Sequence, residues 1–282
     1  MAAGIARVNP IARVLQYVAL GGFIVFLAFP LLWMLSTSLK GKQEIGGVNS
    51  SLIPRHPTLA NFGDAFRRAD LVHSAGNSLI VAVTTTLLVV VVAMPAAYGL
   101  ARFRTRLRIV ATGWILISQV FPVILVVIPL FVILGQLHLL DSRRGLIIVY
   151  AVYSLPFALW MLQGYVSAIP RDIEEAAAVD GATRLRVLRS IVLPLLLPGV
   201  VATAMFTLIS SWNEFFFALV LIQSPGNQTL PLTLVRFVGA EGQVQLGALA
   251  AGSLLATVPS LIFFGIIQRR LTSGLLSGAV KG

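Results

Sequence analysis

The sequence predicts an all-α fold: a polytopic membrane helix bundle with six transmembrane helices and both termini in the cytoplasm. Three observations carry that prediction. Hydrophobic residues make up 57% of the 282 positions and charged residues only 11%, about half the share usual in soluble globular chains. Charge-free windows run from Val14 to Leu39, Ser74 to Ala101, Ile109 to Leu137, Gly145 to Pro170, Ser190 to Asn213 and Gly242 to Gln268. Each exceeds the roughly 20 residues that cross the hydrocarbon core as a helix. Of the 21 Lys and Arg, 13 fall in the N-terminal arm, Arg102 to Arg108, Arg171 to Arg189 and the tail from Arg269, all on one side of six alternating spans. The positive-inside rule makes that side cytoplasmic.

The elements follow in order, as a single transmembrane domain over 1–282. Span 1, about 14–39, is longer than the 7 to 15 residues of a signal-peptide core and has no small-residue cleavage site before Ser36, so it reads as retained. An external loop, 40–75, leads to span 2, about 76–101. The arginines at 102, 104, 106 and 108 read as topology determinants beside anionic head groups, not as a nucleic-acid patch. Spans 3 and 4 cover about 109–135 and 145–167, and a polar loop at 168–192 precedes span 5, about 195–222. From Ser190 to Val235 only Glu214 is charged, so two crossings fit there by length. The six-span reading is preferred because it keeps the basic tail inside and makes Pro225 to Gln228 a turn in an external loop, 223–245. Span 6 is about 246–268. Its pairs Gly247 and Ala251, Ala248 and Gly252, and Gly252 and Ala256 suit close helix contact. Pro30, Pro95, Pro122, Pro129, Pro156, Pro194, Pro198 and Pro259 all lie in apolar windows, where each removes a backbone hydrogen bond and predicts a kink.

The polar loop has its own chemistry. Pro170 suits the start of a helix, Asp172, Glu174 and Glu175 complement its positive end, and Gly181 suits a left-handed stop. The result is a helix of about three turns. Ala176, Ala177 and Ala178, with Ile173 and Val179, give it a smooth surface for a groove, and Glu175 can pair with a cation on the rim. A second segment, Thr183 to Ile191, carries Arg184, Arg186 and Arg189 before Pro194 breaks into span 5. An ordinary amphipathic helix on the membrane surface remains the alternative.

Glu175-Ala176-Ala177, three residues, Gly181, nine residues, Ile191, one residue and Leu193-Pro194 resemble the EAA signature of membrane subunits from binding-protein-dependent ABC importers. Pro57, Thr58, Leu59 and Asn61, Asn77-Ser78, Ala97, Tyr98, Leu100, Ala101 and Arg102, Trp212-Asn213-Glu214, and the ending Gly278 to Gly282 are similar to the shorter, maltose-permease-like subunit of the carbohydrate branch. The likeness spans nearly the whole chain. It implies a multi-pass permease of the bacterial cytoplasmic (inner) membrane, working by alternating access. Its partners would be a second permease in a heterodimer, two ATPase subunits, an extracytoplasmic solute-binding protein and membrane lipid. The ATPase-coupling residues it implies are Glu175, Ala176, Ala177, Asp180, Gly181, Ala182 and Pro194. It further implies an ATPase-contact tail of Ser277, Gly278, Lys281 and Gly282, and a loop carrying Asn227 and Gln228 that probes the binding protein. The solute would be a sugar or sugar-derived compound; disaccharides, oligosaccharides, polyols and glycerophosphate esters all fit the branch.

What the residues lack agrees with this. No G-x-x-x-x-G-K-[ST] occurs, so no cofactor is expected in the chain, and ATP with Mg2+ belongs to the partner ATPases. His56, His73 and His138 are scattered over external segments and read as solvated loop residues, not as metal or acid–base groups. No catalytic residues are expected, which leaves a membrane-embedded enzyme unsupported. An ion-coupled secondary transporter is the alternative function, but it needs ionisable groups in several spans, and only Glu214 qualifies. Glu214 costs on the order of 2.5 to 3.5 kcal/mol at the bilayer centre, so it must face protein or water. With Trp212 and Asn213 it forms a candidate translocation path. A structural contact with the partner permease is favoured over direct sugar binding.

Overall fold

The computed structural model describes residues 10–47, 51–103, 106–239 and 244–279. In chain order the helices are α1 (Pro10–Ser38), α2 (Lys42–Ile45), α3 (Ala60–Ala69), α4 (Leu71–Arg102), α5 (Arg106–Val120), α6 (Val123–Gln136), α7 (Arg143–Ala168), α8 (Arg171–Val179), α9 (Arg184–Val187), α10 (Leu193–Trp212), α11 (Phe216–Leu221), α12 (Leu230–Leu234) and α13 (Leu246–Ala279). Extended pairing among the described residues is limited to one antiparallel bridge, Val238 to Val244. Among the described residues five helical stretches are long and apolar enough to cross a membrane, or six if the bent pair α5 and α6 counts as one. The chain divides into two compact units, residues 1–70 with 236–255, and 71–235 with 256–282.

In the smaller unit the loop after α1 is pinned by side chains reaching for backbone oxygens. Asn61 is buried, and its amide donates to the carbonyls of Ser38 (2.9 Å) and Lys40 (2.7 Å). Lys40, also buried, donates to the Ser51 carbonyl and lies 5.1 Å from the centre of the Trp33 ring. A cation can be buried here because a carbonyl and an aromatic face replace its water. The expected external loop 40–75 is therefore partly helical.

The larger unit is built around α4, which packs most extensively on α7 and then on α10. Its buried positions include Asn77, Val81, Thr85, Val89, Ala93, Ala97 and Ala101, one at every fourth residue. Residues at that spacing form a ridge inclined to the helix axis. From Ala93 onward the ridge is alanine only. Ala93 and Ala97 meet Ala151, Ala158 and Leu162 of α7, where small side chains let the backbones approach closely.

Proline behaves more variably than the sequence suggests. Helices run on through Pro30, Pro95, Pro129, Pro156, Pro198 and Pro259. Pro122 alone divides its expected span, and α5 and α6 meet at 103° in place of one helix over 109–135. Pro122 lacks the N–H that would continue α5, and as the N-cap of α6 it has an extended ψ of 121°. Pro194 does not break the chain either. A single π turn, Leu188–Val192, joins α9 to α10, with the Leu193 N–H donating to the Leu188 carbonyl, so helix runs from Arg184 to Trp212. Span 5 then stops at Trp212, ten residues short of the expected 222, and resumes as α11.

Glycine 145 shows how tightly the start of α7 is packed. Ser142 caps this helix, its hydroxyl accepting from the Gly145 N–H at 3.1 Å, and a Cβ on Gly145 would stand 2.2 Å from the Leu139 carbonyl oxygen. Gly164, in the same helix, has nothing within 4 Å of that position. Gly145→Ala is expected to destabilise by about 1–3 kcal/mol as an overpacked site. Gly164→Ala is expected to be neutral or stabilising by up to about 1 kcal/mol. Thermal unfolding in detergent, followed by tryptophan fluorescence, gives the opposite signs directly.

Candidate functional site

The polar loop forms α8, and its ends follow from the residues there. Asp172 and Glu174 lie in the first turn, beside the unpaired N–H groups. At the other end Gly181 has φ +81°, its N–H donates to the Ala178 carbonyl (3.1 Å), and the Ala182 N–H donates to Ala177 (3.0 Å). This is a Schellman motif, with Ala177 and Gly181 at the fixed separation the motif requires. Ala177 and Ala182, which that motif brings together, are half-buried against a cluster of Ala101, Val166, Ile169, Val187, Val192 and Leu196. Glu175, Ala176, Ala178 and Val179 are exposed, Val179 by 87%. Asp180 caps the helix and is exposed, as is Pro194 at the start of α10.

One carboxylate beside the exposed motif ties α8 to the bundle. Glu174 Oε1 accepts from Arg102 Nε at 2.6 Å, and Oε2 accepts from the Tyr98 hydroxyl at 2.8 Å. The Arg102 Nη2 also donates to the Ile169 carbonyl (2.9 Å), and Arg171 donates to the Ala101 carbonyl (3.3 Å). The pair is only 8% and 13% exposed. Such a pair is sustained by having its remaining lone pairs and protons satisfied, and losing one member leaves the other charged and buried, at about 3–5 kcal/mol. Arg102, whose charge reads from sequence as a topology determinant, is thus also an internal anchor. Tyr98 and Arg102 stand four apart at the end of α4, on one helix face. That spacing, with a second acid just ahead of Glu175, is the signal that could have found the anchor.

At the opposite end of α4 a second polar cluster holds the segment after α11. The Asn77 amide donates to the carbonyls of Gly226 (2.9 Å) and Gln228 (3.0 Å), the Leu230 N–H donates to the Ser78 hydroxyl (2.8 Å), and Ser74 pairs with Thr233 (2.7 Å). His73 Nε2 lies 2.8 Å from the Gly226 carbonyl, so this histidine belongs to the first turn of α4 and is not the loop residue expected. Asp141, with φ +50°, accepts from the N–H groups of Gln223 (3.0 Å) and Ser224 (2.8 Å) and from the Ser224 hydroxyl. Partial burial raises its pKa, but the Ser224 hydroxyl and the two amides together outweigh burial and hold it below the usual carboxylate value. Asn227 faces inward, donating to the Asp141 carbonyl at 2.6 Å, and Gln228 is half-buried. Sequence reasoning missed Asp141 and the role of Asn77.

Trp212, Asn213 and Glu214 do not converge. The buried Trp212 donates to the Ala256 carbonyl (3.1 Å) and meets Phe263 edge-on, while the exposed Asn213 returns its amide to Ile209 (2.9 Å). Glu214 caps α11, its two oxygens accepting from the N–H groups of Phe217 (2.9 Å) and Ala218 (3.3 Å). Ser277 and Gly278 lie on the last turns of α13, whereas Lys281 and Gly282 fall outside the described residues.

Gly181→Ala places a Cβ at φ +81°, a left-handed conformation that costs an L-residue roughly 1–2 kcal/mol. Amide exchange at residues 181 and 182, measured by mass spectrometry in nanodiscs, is expected to quicken on the order of tenfold. Unchanged exchange there would mean that the cap does not depend on glycine.

Known proteins resemble this chain over most of its length. The chain is 57% identical over 229 residues to ORF1 of Streptomyces antibioticus, named as an ABC transporter permease protein, covering 81% of this chain and 100% of that one. It is 36% identical over 268 residues to the sulfoquinovosyl glycerol transport system permease protein SmoH of Agrobacterium fabrum, covering 95% and 94%. Its fold matches a chain in the crystal structure of a bacterial ABC transporter involved in the import of the acidic polysaccharide alginate, with a TM-score of 0.79 at 23% identity over 95% of this chain and 99% of that one. Residues 89–275, from the middle of α4 to near the end of α13, match the family profile, and the chain belongs to the binding-protein-dependent transport system inner membrane components.

Proposed function

We propose that this chain is a permease subunit of an ATP-driven importer that carries a sugar or sugar-derived solute into the cytoplasm and does no chemistry itself. The observation that carries the proposal is the form of α8. It is a short helix stapled to the bundle through Glu174, capped through Gly181, and presenting Glu175, Ala176 and Val179 outward. A separate ATPase would receive that face in a groove, and its nucleotide-driven closure would rock the bundle between inward- and outward-facing forms. The loop then lies in the cytoplasm with both termini, and the turn at 223–228 faces a solute-binding protein outside.

Partners in this reading are a second permease, two ATPase subunits that hold ATP and Mg2+, the binding protein and surrounding lipid. Residues 277–282 would reach the ATPases. The sugar rests on the carbohydrate-branch residues of the sequence and on the glycoside named for the Agrobacterium relative. Glu214 supports this reading over an ion-coupled carrier, because both its oxygens already serve as a helix cap and it has the geometry of a structural group. Trp212, held to Ala256, is likewise a packing residue.

The complex reconstituted in liposomes with Glu175→Ala or Gly181→Asp is expected to lose ATP-dependent uptake by at least tenfold, the scale of a lost charge-assisted contact. Uptake and assembly that both persist near the wild-type rate would remove α8 from the ATPase contact. Screening the partner binding protein against a panel of glycosides by calorimetry identifies the solute.

A further inference from the structure

The two polar clusters sit at opposite ends of one helix. α4 is unbroken for 32 residues, about 48 Å, through Pro95. At one end Tyr98 and Arg102 hold Glu174 of α8. At the other, His73, Ser74, Asn77 and Ser78 hold the segment from Gly226 to Thr233. Between them the ridge from Val81 to Ala101 is buried at every fourth residue against neighbouring helices.

We propose that α4 is a rigid tie between α8 and the turn at 223–233, which makes Tyr98, Arg102 and Asn77 positioning residues for coupling across the membrane. The inference rests on the reading of α8 as the ATPase contact and adds the route by which its displacement reaches the opposite face. Three physical features support it. A close-packed alanine ridge resists sliding, because any shift opens voids or forces overlap. The buried ion pair resists separation, because parting it strands a charge. Asn77 bonds two carbonyls of one turn, which fixes that turn in direction as well as distance, and behind it Arg143 Nη1 donates to the side-chain Oδ1 of Asn77 at 3.3 Å. Energetic coupling over such a span needs contiguous packed and hydrogen-bonded groups, and α4 supplies them on a single element.

The natural chain has no cysteine, so spin labels can be placed without background from it. Val179→Cys on α8 and Gln223→Cys beside the opposite turn are exposed positions. In the full complex with cysteine-free partners, the distance between them, measured by double electron–electron resonance, is expected to change by less than ~2 Å among nucleotide-free, ATP-bound and vanadate-trapped states. Arg102→Gln and Asn77→Ala, which release one end each, are expected to broaden that distribution and to lower the ratio of binding-protein-stimulated to basal ATP hydrolysis about tenfold. Arg102→Glu combined with Glu174→Arg, which re-forms an ion pair at the same place, is expected to recover part of the ratio.

A wild-type distance that moves by a helical turn, ~5 Å, overturns the tie. So does an Asn77→Ala complex with the wild-type distribution and ratio, and this variant carries the test if Arg102→Gln does not assemble. Uptake that survives Glu175→Ala and Gly181→Asp sinks the docking reading, whereas the tie stands or falls on the label pair.

Discussion

In hydrocarbon a backbone amide or carbonyl without a partner costs several kcal/mol, and that cost decides where this chain can leave the helix. Several interruptions are met by a side chain at that place. Glu214 accepts the first amides of α11 where α10 stops, Ser142 caps α7, and Asn77, Ser78 and Asp141 receive the polar groups of the turn that follows α11. The few charged and polar side chains that the composition allows are therefore concentrated at breaks. That explains why Glu214 stands alone in a long apolar run. It also explains why its neighbours Trp212 and Asn213 point elsewhere.

The same constraint separates what was legible from what was not. Apolar windows locate most spans, because length and lack of charge act locally. Gly181 as a left-handed stop and the acidic first turn of α8 are local in the same sense, and the structure has both. The breaks were less legible. Seven of eight prolines leave their helices uninterrupted, since their effect depends on whether neighbours and local geometry absorb the missing hydrogen bond, and a linear pattern does not contain that. The Arg102 and Glu174 pair joins residues 72 positions apart, and Asp141 meets Ser224 across 83. Both depend on how α4, α7 and the α11 segment come together. The resemblance marked Tyr98 and Arg102 as notable without showing what they touch.

Side-chain size varies along α4 with a structural result. Near Asn77, Val81 and Thr85 the ridge carries branched or polar groups, and α4 there meets short turns and hydroxyls. From Ala93 to Ala101 the ridge of α4 carries only methyl groups, which pack against Ala151, Ala158 and Leu162 of α7 and, at Ala101, in a cluster with Val166 and Leu196. The end that bears α8 is thus held by apolar packing and an ion pair, and the far end, where the turn is gripped, by hydrogen bonds.

The π turn at Leu188–Val192 has a geometric consequence of its own. It holds one residue more than an α-helical turn of the same height, so it acts as a phase offset between α10 and everything before it. An α-helix advances about 100° per residue. Removing one residue from that turn would restore regular bonding at little local cost, yet would rotate α9, and the loop that leads back to α8, by about that angle around the α10 axis. Val187 would leave its apolar cluster and the arginines beside it would face a new direction. The azimuth at which this protein presents α8 is thus set by a count of residues in the turn Leu188–Val192.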